Sequence, residues 1–189
     1  MRAGYLIDRQ LDMILAALTP ANRLVCRVML HTGLRISDVV ELPREAVKFN
    51  FTVTEKKTRK RRRVRLSPEL VAEVLAGSEG SPWAFPSPAD PQRHRTRQAV
   101  WKDIKRAQRA FRLNINAAPH SMRKVYAVEL MHKYGDIDRV RRALNHDHYD
   151  TTFLYALADQ LPPPRPRKKR RLTPARGRVY DGRDGGGCH

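Results

Sequence analysis

The stretch Thr32-Gly33-Leu34-Arg35-Ile36-Ser37-Asp38 decides how this chain is read. Upstream of it, Leu24, Val25, Val28 and Met29 recur at three- and four-residue steps, which predicts an amphipathic helix over 21–31 with Pro20 at its first turn. Gly33 ends that helix, because a residue without a Cβ enters the left-handed conformation at little steric cost. The chain then turns, and Arg35 projects at the start of a short helix over 36–42. Further upstream, Leu11, Ile14, Leu15 and Leu18 repeat the helical pattern over 6–18.

Downstream the period changes. Phe49, Phe51 and Val53 alternate with polar residues, as do Val64 and Leu66, on either side of a charged middle, so 47–66 is expected to form a β-hairpin turning near Lys57 to Lys60. Helical spacing returns over 68–76, 96–111, 120–134, 137–144 and 150–157. Val100, Ile104, Ala107 and Phe111 supply one apolar face, and Val125, Val128, Leu130 and Met131 another. Trp83, Phe85 and Pro86 are expected to anchor the Gly/Ser/Pro-rich loop that ends near Pro91. The expected fold class is α+β and mostly helical: one domain over 1–160 with a small antiparallel hairpin. Residues 161–189 change composition to a Pro/Arg/Gly-rich tail with nine basic and two acidic side chains and little to bury, so this segment is expected to be disordered when free.

The 189 residues carry a formal charge of +19 and a pI near 10.9, which points to a polyanionic partner, most simply nucleic acid. Cys26 and Cys188 make neither a disulfide framework nor a zinc spacing. The apolar stretch Leu11 to Leu18 is far below the ~18–20 residues that span a bilayer. A cytoplasmic protein with no membrane partner is expected.

Chemistry-bearing residues follow in a particular order: Arg35, then His120-x-x-Arg123, then Leu144-Asn145-His146, then Tyr155. His146 lies 23 residues after Arg123, and Tyr155 nine after His146. A phosphodiester repels nucleophiles, and two guanidiniums can neutralise its nonbridging oxygens as charge builds on phosphorus, with a bidentate geometry that lysine lacks. Tyrosine is a nucleophile that would store the bond energy in a phosphotyrosyl link. In residue types, order and spacing, the region from about 20 to 158 resembles the tyrosine recombinase (phage integrase) family.

The resemblance implies a site-specific recombinase that cuts and rejoins double-stranded DNA through a 3′-phosphotyrosine, with no metal, ATP or other cofactor. It assigns Arg35 and Arg123 to the phosphate and Tyr155 to the attack. His120 assists proton transfer around the tyrosine, and His146 holds the scissile phosphate and helps place the nucleophile. It also implies a lysine from a β-hairpin as proton donor to the leaving 5′-oxygen. Lys57 fits best, because Lys-Thr closing the first strand matches the common form; Lys56 and Lys60 are alternatives. Asp38 is expected to orient basic groups. Residues 56–65 hold eight basic side chains and no acid, and Lys56, Arg59, Lys60, Arg61, Arg62 and Arg63 are expected to bind DNA phosphates. Self-association on DNA, up to a tetrameric synapse, and a bacterial or phage origin are further implications.

Two departures flank the site: Asn145 stands where glycine is usual before the histidine, and Asp147 where serine is common. The helical domain that most relatives place before the catalytic one is expected to be missing, since only about 20 residues precede the second helix; a catalytic-domain fragment, a minimal recombinase and a decayed prophage copy are the alternatives, and the basic tail is one candidate for replacing its grip. A type IB topoisomerase uses a similar residue set, but Leu-Asn-His followed nine residues later by tyrosine argues against it. The other alternative is a basic DNA-binding protein whose boxes are inactive relics. His146-Asp147-His148 has a faint look of a metal site, without a supporting cluster.

Overall fold

A computed structural model describes residues 3–144. Seven α-helices and one hairpin are present in this range: α1 (Asp8–Ala17), α2 (Pro20–Thr32), α3 (Ile36–Val40), β1 (Asn50–Thr54), β2 (Arg61–Arg65), α4 (Pro68–Ala76), α5 (Arg97–Ala110), α6 (Pro119–Tyr134) and α7 (Ile137–Leu144), with a 3-10 turn at Arg44–Ala46. The mostly helical α+β expectation holds. The helix expected over 150–157 lies outside the described residues.

The centre of the molecule is α2, which packs on α6, α3, α5, α1 and α4. Its stripe of Val25, Cys26, Val28 and Met29 is buried, with Ile14 and Leu18 on one side and Val100, Ile104 and Ala107 on another. Cys26 is sealed in this core, and burial pushes its thiol up to about 12, so it is inert at neutral pH. A smaller cluster, Ala127, Val140 and Leu144, docks α7 onto α6 with help from Leu130 and Met131.

Two local signals act as expected. Gly33 sits at φ 65°, its amide donating to the Met29 carbonyl at 2.7 Å, and a Cβ there would lie 2.2 Å from the Tyr126 ring. Glycine therefore serves both the left-handed turn and the close approach of α6. In the 81–95 loop, Phe85 is buried, Ala84 donates its amide to Leu42, and the Trp83 indole donates to the Gln92 carbonyl at 3.0 Å.

Other details correct the sequence reading. Leu6 is wholly buried, but it lies before α1 rather than in the helix. The first strand begins at Asn50; Phe49 precedes it, 39% exposed, with the Arg65 guanidinium stacked 4.4 Å from its ring. Phe111 leaves the buried face because α5 ends at Ala110, and its side chain is 37% exposed.

A buried polar knot joins α5 to the start of α2. Asp103 Oδ2 accepts from the Thr19 amide (2.9 Å), the Thr19 hydroxyl (2.9 Å) and Asn22 Nδ2 (2.8 Å), while Arg106 reaches Oδ1. Asp103 thereby satisfies an amide at the N-terminus of α2, where a negative charge also suits the helix dipole. Burial pushes its carboxyl up, but these hydrogen bonds outweigh it and hold it below the usual carboxylate range.

Candidate active site

Arg35 caps the N-terminus of α3 in extended backbone, and Arg123 lies in the second turn of α6. The fold brings them together through the end of α2. The Gly33 carbonyl accepts from Arg123 Nη1 and, at 3.4 Å, from Arg62 Nη1, and the Thr32 carbonyl accepts from Arg62 Nη2. These carbonyls belong to the last turn of α2, where orphan acceptors and the negative end of the helix dipole attract cations. Arg123 Nη2 also donates to the Leu144 carbonyl at 2.6 Å, at the end of α7.

Arg123 is only 2% exposed. Burial lowers its pKa to about 10, and the charges of Arg35 and Arg62 push the same way against Glu55 and Asp38. It remains protonated at neutral pH. Arg35 stays partly open, its side chain 20% exposed, and pairs through Nη1 with Glu55.

Glu55 is the residue that sequence reasoning missed. It is fully buried, and its Oε2 accepts from Arg35 and from the Thr58 hydroxyl at 3.1 Å, while Oε1 faces Arg62 at 3.6 Å. The signal was present in the strand period: Phe51 and Val53 point inward, and two residues on, so does Glu55. The same phase explains Arg62. Opposite Val53 in the register and two residues before buried Val64, it turns inward, with its side chain 11% exposed. Arg62 is thereby set apart from its neighbours in the basic run, since Lys56, Arg59, Lys60, Arg61 and Arg63 are exposed.

Asp38, 5% exposed, accepts the Lys56 amide on Oδ1 at 3.1 Å. It thus ties the start of the hairpin turn to α3. Burial raises its pKa and Glu55 adds to this, opposed by the Lys56 amide, Arg35 and Arg123. Three guanidiniums face two carboxylates across the site.

Of the three lysines, Lys56 pairs with Glu41 through Nζ. Lys57 is exposed and, with Ser37, His94 and Arg97, lines a cleft of about 500 Å³ between α3 and the start of α5. His120 opens α6 and is exposed, one turn before Arg123. His146 and Tyr155, and with them His146-Asp147-His148, lie outside the described residues. Among the described residues, no group of three or more His, Cys, Asp or Glu side chains could hold a metal ion.

Residues 5–160 match the model of the phage integrase family. The chain belongs to this family. It is 30% identical over 154 residues to the integrase of Escherichia phage P2, covering 81% of this chain and 42% of the relative. It is 34% identical over 154 residues to the tyrosine recombinase XerD of Bradyrhizobium diazoefficiens, covering 71% and 48%. The chain thus spans about half the length of these curated relatives.

Solved structures of the family share the fold. A lambda integrase (75–356) dimer bound to a COC′ core site matches with a TM-score of 0.67 at 18% identity, over 97% of this chain and 64% of that one. The catalytic domain of bacteriophage HP1 integrase matches with a TM-score of 0.63 at 22% identity, over 82% and 88%. Among the described residues, no helix is long and apolar enough to cross a membrane.

Proposed function

We propose that this chain is the DNA-breaking and rejoining domain of a tyrosine site-specific recombinase, residues 1–160, followed by a basic tail over 161–189. The observation that carries the reading is the meeting of Arg35 and Arg123 at the end of α2, with the Lys57 turn fastened beside them through Glu55 and Asp38. Family membership and the spacing to His146 and Tyr155 supply the rest.

The reaction is a transesterification. The Tyr155 oxygen attacks phosphorus as the bond to the 5′-oxygen breaks, leaving a 3′-phosphotyrosyl link and a 5′-hydroxyl. The phenol, with an ordinary pKa near ~10, gives up its proton with help from His120. Lys57 supplies a proton to the leaving oxygen, and Lys56, held by Glu41, is less suited to that task. Arg35, Arg123 and His146 bear the charge on the nonbridging oxygens. Lambda integrase has been solved as a dimer on a core site and as a tetramer on a Holliday junction. By that likeness the partner here is double-stranded DNA, on which the chain self-associates, in a cytoplasmic, nucleoid-bound setting.

The test uses duplexes in which a 5′-bridging phosphorothiolate is flanked by randomised sequence. The thiolate leaves without a proton, so covalent adducts accumulate, and sequencing them identifies the site. SDS-resistant adducts are expected for the wild type, with and without EDTA, and none for Tyr155→Phe, which should still bind DNA. Adduct formation by Tyr155→Phe overturns the assignment. Adducts at unrelated sequences with equal efficiency favour a topoisomerase-like enzyme, and no adduct at all favours an inactive DNA-binding relic.

A further inference from the structure

We propose that Glu55 is a positioning residue that sets the Arg35 guanidinium and the Lys57-bearing turn in one fixed relation; this rests on the recombinase reading above. A carboxylate with no solvent exposure is costly unless it is paired, and Glu55 is held by groups of the site: Oε2 accepts from Arg35 and the Thr58 hydroxyl, while Oε1 faces the Arg62 guanidinium at 3.6 Å without a hydrogen bond among the described residues. Its Oε2 holds Arg35 Nη1. Because a guanidinium is planar and rigid, holding Nη1 constrains the direction of the remaining N–H groups, and the side chain stays 20% exposed.

The same residue closes the turn. The Glu55 amide donates to the Lys60 carbonyl at 3.0 Å, and the Arg59 amide donates to the Glu55 carbonyl at 2.8 Å, with Arg59 in the left-handed region at φ 58°. The Thr58 hydroxyl adds a third tie, to Oε2. Lys57 sits inside this closed loop. A displacement of Glu55 therefore moves the turn and releases Arg35 together. Its charge also matters: with Glu55 neutral, Arg35, Arg62 and Arg123 repel one another, and Asp38 alone among the described carboxylates of the site balances them.

The experiment has two readouts. In ¹⁵N spectra of the DNA-free full chain, the Arg35 guanidinium resonance, assigned by its loss in Arg35→Lys, is expected to be protected from solvent exchange in the wild type and to lose protection in Glu55→Gln. Persistent protection overturns the proposal whatever the protein does to DNA. Single-turnover adduct formation is then measured at saturating levels of the selected duplex, as ordinary phosphate and as 5′-bridging phosphorothiolate. Glu55→Gln should lose ~100-fold on ordinary DNA, comparable to removing one oxyanion donor. It should keep a ~10-fold or larger defect on the phosphorothiolate with half-saturation unchanged.

Thr58→Val, which removes the turn's hydroxyl from Oε2 but leaves the Glu55–Arg35 ion pair in place, should be slowed on ordinary DNA and largely rescued by the phosphorothiolate. Glu55→Asp, charged but one methylene shorter, should fall between wild type and Glu55→Gln, and serves if Glu55→Gln fails to fold. A defect confined to half-saturation, full phosphorothiolate rescue of Glu55→Gln, or wild-type rates in Glu55→Asp and Glu55→Gln would each overturn the role. An adduct that survives Tyr155→Phe would instead overturn the recombinase reading, a result separable from the Arg35 spectrum.

Discussion

Arg123 donates to the Leu144 carbonyl at 2.6 Å, so the guanidinium of α6 holds the end of α7, two residues before His146. With its other nitrogen on the Gly33 carbonyl, one side chain of α6 ties together the ends of α2 and α7. Arg123→Lys keeps the charge but loses the fork. It is expected to lower the adduct rate by at least ~100-fold and stability by ~2–4 kcal/mol, since buried carbonyls lose their partners. Single-turnover cleavage and urea unfolding check both; near-normal values would make Arg123 an interchangeable cation.

Gly33→Ala should destabilise the fold by ~2 kcal/mol or more, because a left-handed φ is strained for alanine and its Cβ would overlap the Tyr126 ring. The two causes separate in a double variant. Tyr126→Ala should cost less when added to Gly33→Ala than to the wild type, since it relieves the overlap but not the backbone strain. Additive thermal shifts would rule out the overlap.

Asp38 and Asp103 are expected to have opposite pH signatures. Asp38 has a raised folded pKa, so its ionised form costs stability above that pKa. Asp38→Asn should therefore gain relative to the wild type at pH 7, and the gain should vanish as pH falls through the raised pKa toward the unfolded value. Asp103 has a depressed folded pKa, so its ionised form adds stability above the unfolded value. Asp103→Asn should lose stability at pH 7, by ~2–4 kcal/mol, and the loss should shrink as pH falls through the depressed pKa. Urea unfolding across pH 3–8 reads both; parallel curves would contradict the assignment.

The arginines of β2 divide by face. Arg63→Ala and Arg61→Ala should each make the slope of log affinity against log salt shallower by ~0.9 for every DNA phosphate left unneutralised, with folding nearly unchanged. Arg62→Ala should instead lower stability, because Glu55 and the Thr32 and Gly33 carbonyls lose a buried partner. A full change in salt slope for Arg62→Ala, with normal stability, would show that it faces DNA after all.

Arg62 and Arg63 also mark where sequence reading stopped. Both belong to one basic run, and the chemistry of that run suggested phosphate binding for every member. Strand phase carried the finer message, since Arg62 is in step with Val64 and Leu66 and Glu55 with Phe51 and Val53, but charged side chains obscured it. Phe49 and Phe111 erred in the opposite sense: apolar side chains extended a buried face beyond the ends of their elements.

Sequence by itself determined the elements, through apolar periods of two and three to four; the break at Gly33, through the conformational freedom of glycine; and the family, through the order and spacing of Arg35, His120, Arg123, His146 and Tyr155. These depend on local geometry or on residue identity, both of which a linear text contains. Only the tertiary structure decided which charges meet: Arg123 on the Gly33 carbonyl, Asp103 on Thr19 and Asn22, and Glu55 between Arg35 and Arg62. The partners of a buried charge are set by which helix ends and strand faces pack together. Such desolvated groups must be satisfied by whatever donor the fold brings within reach, however distant in the chain.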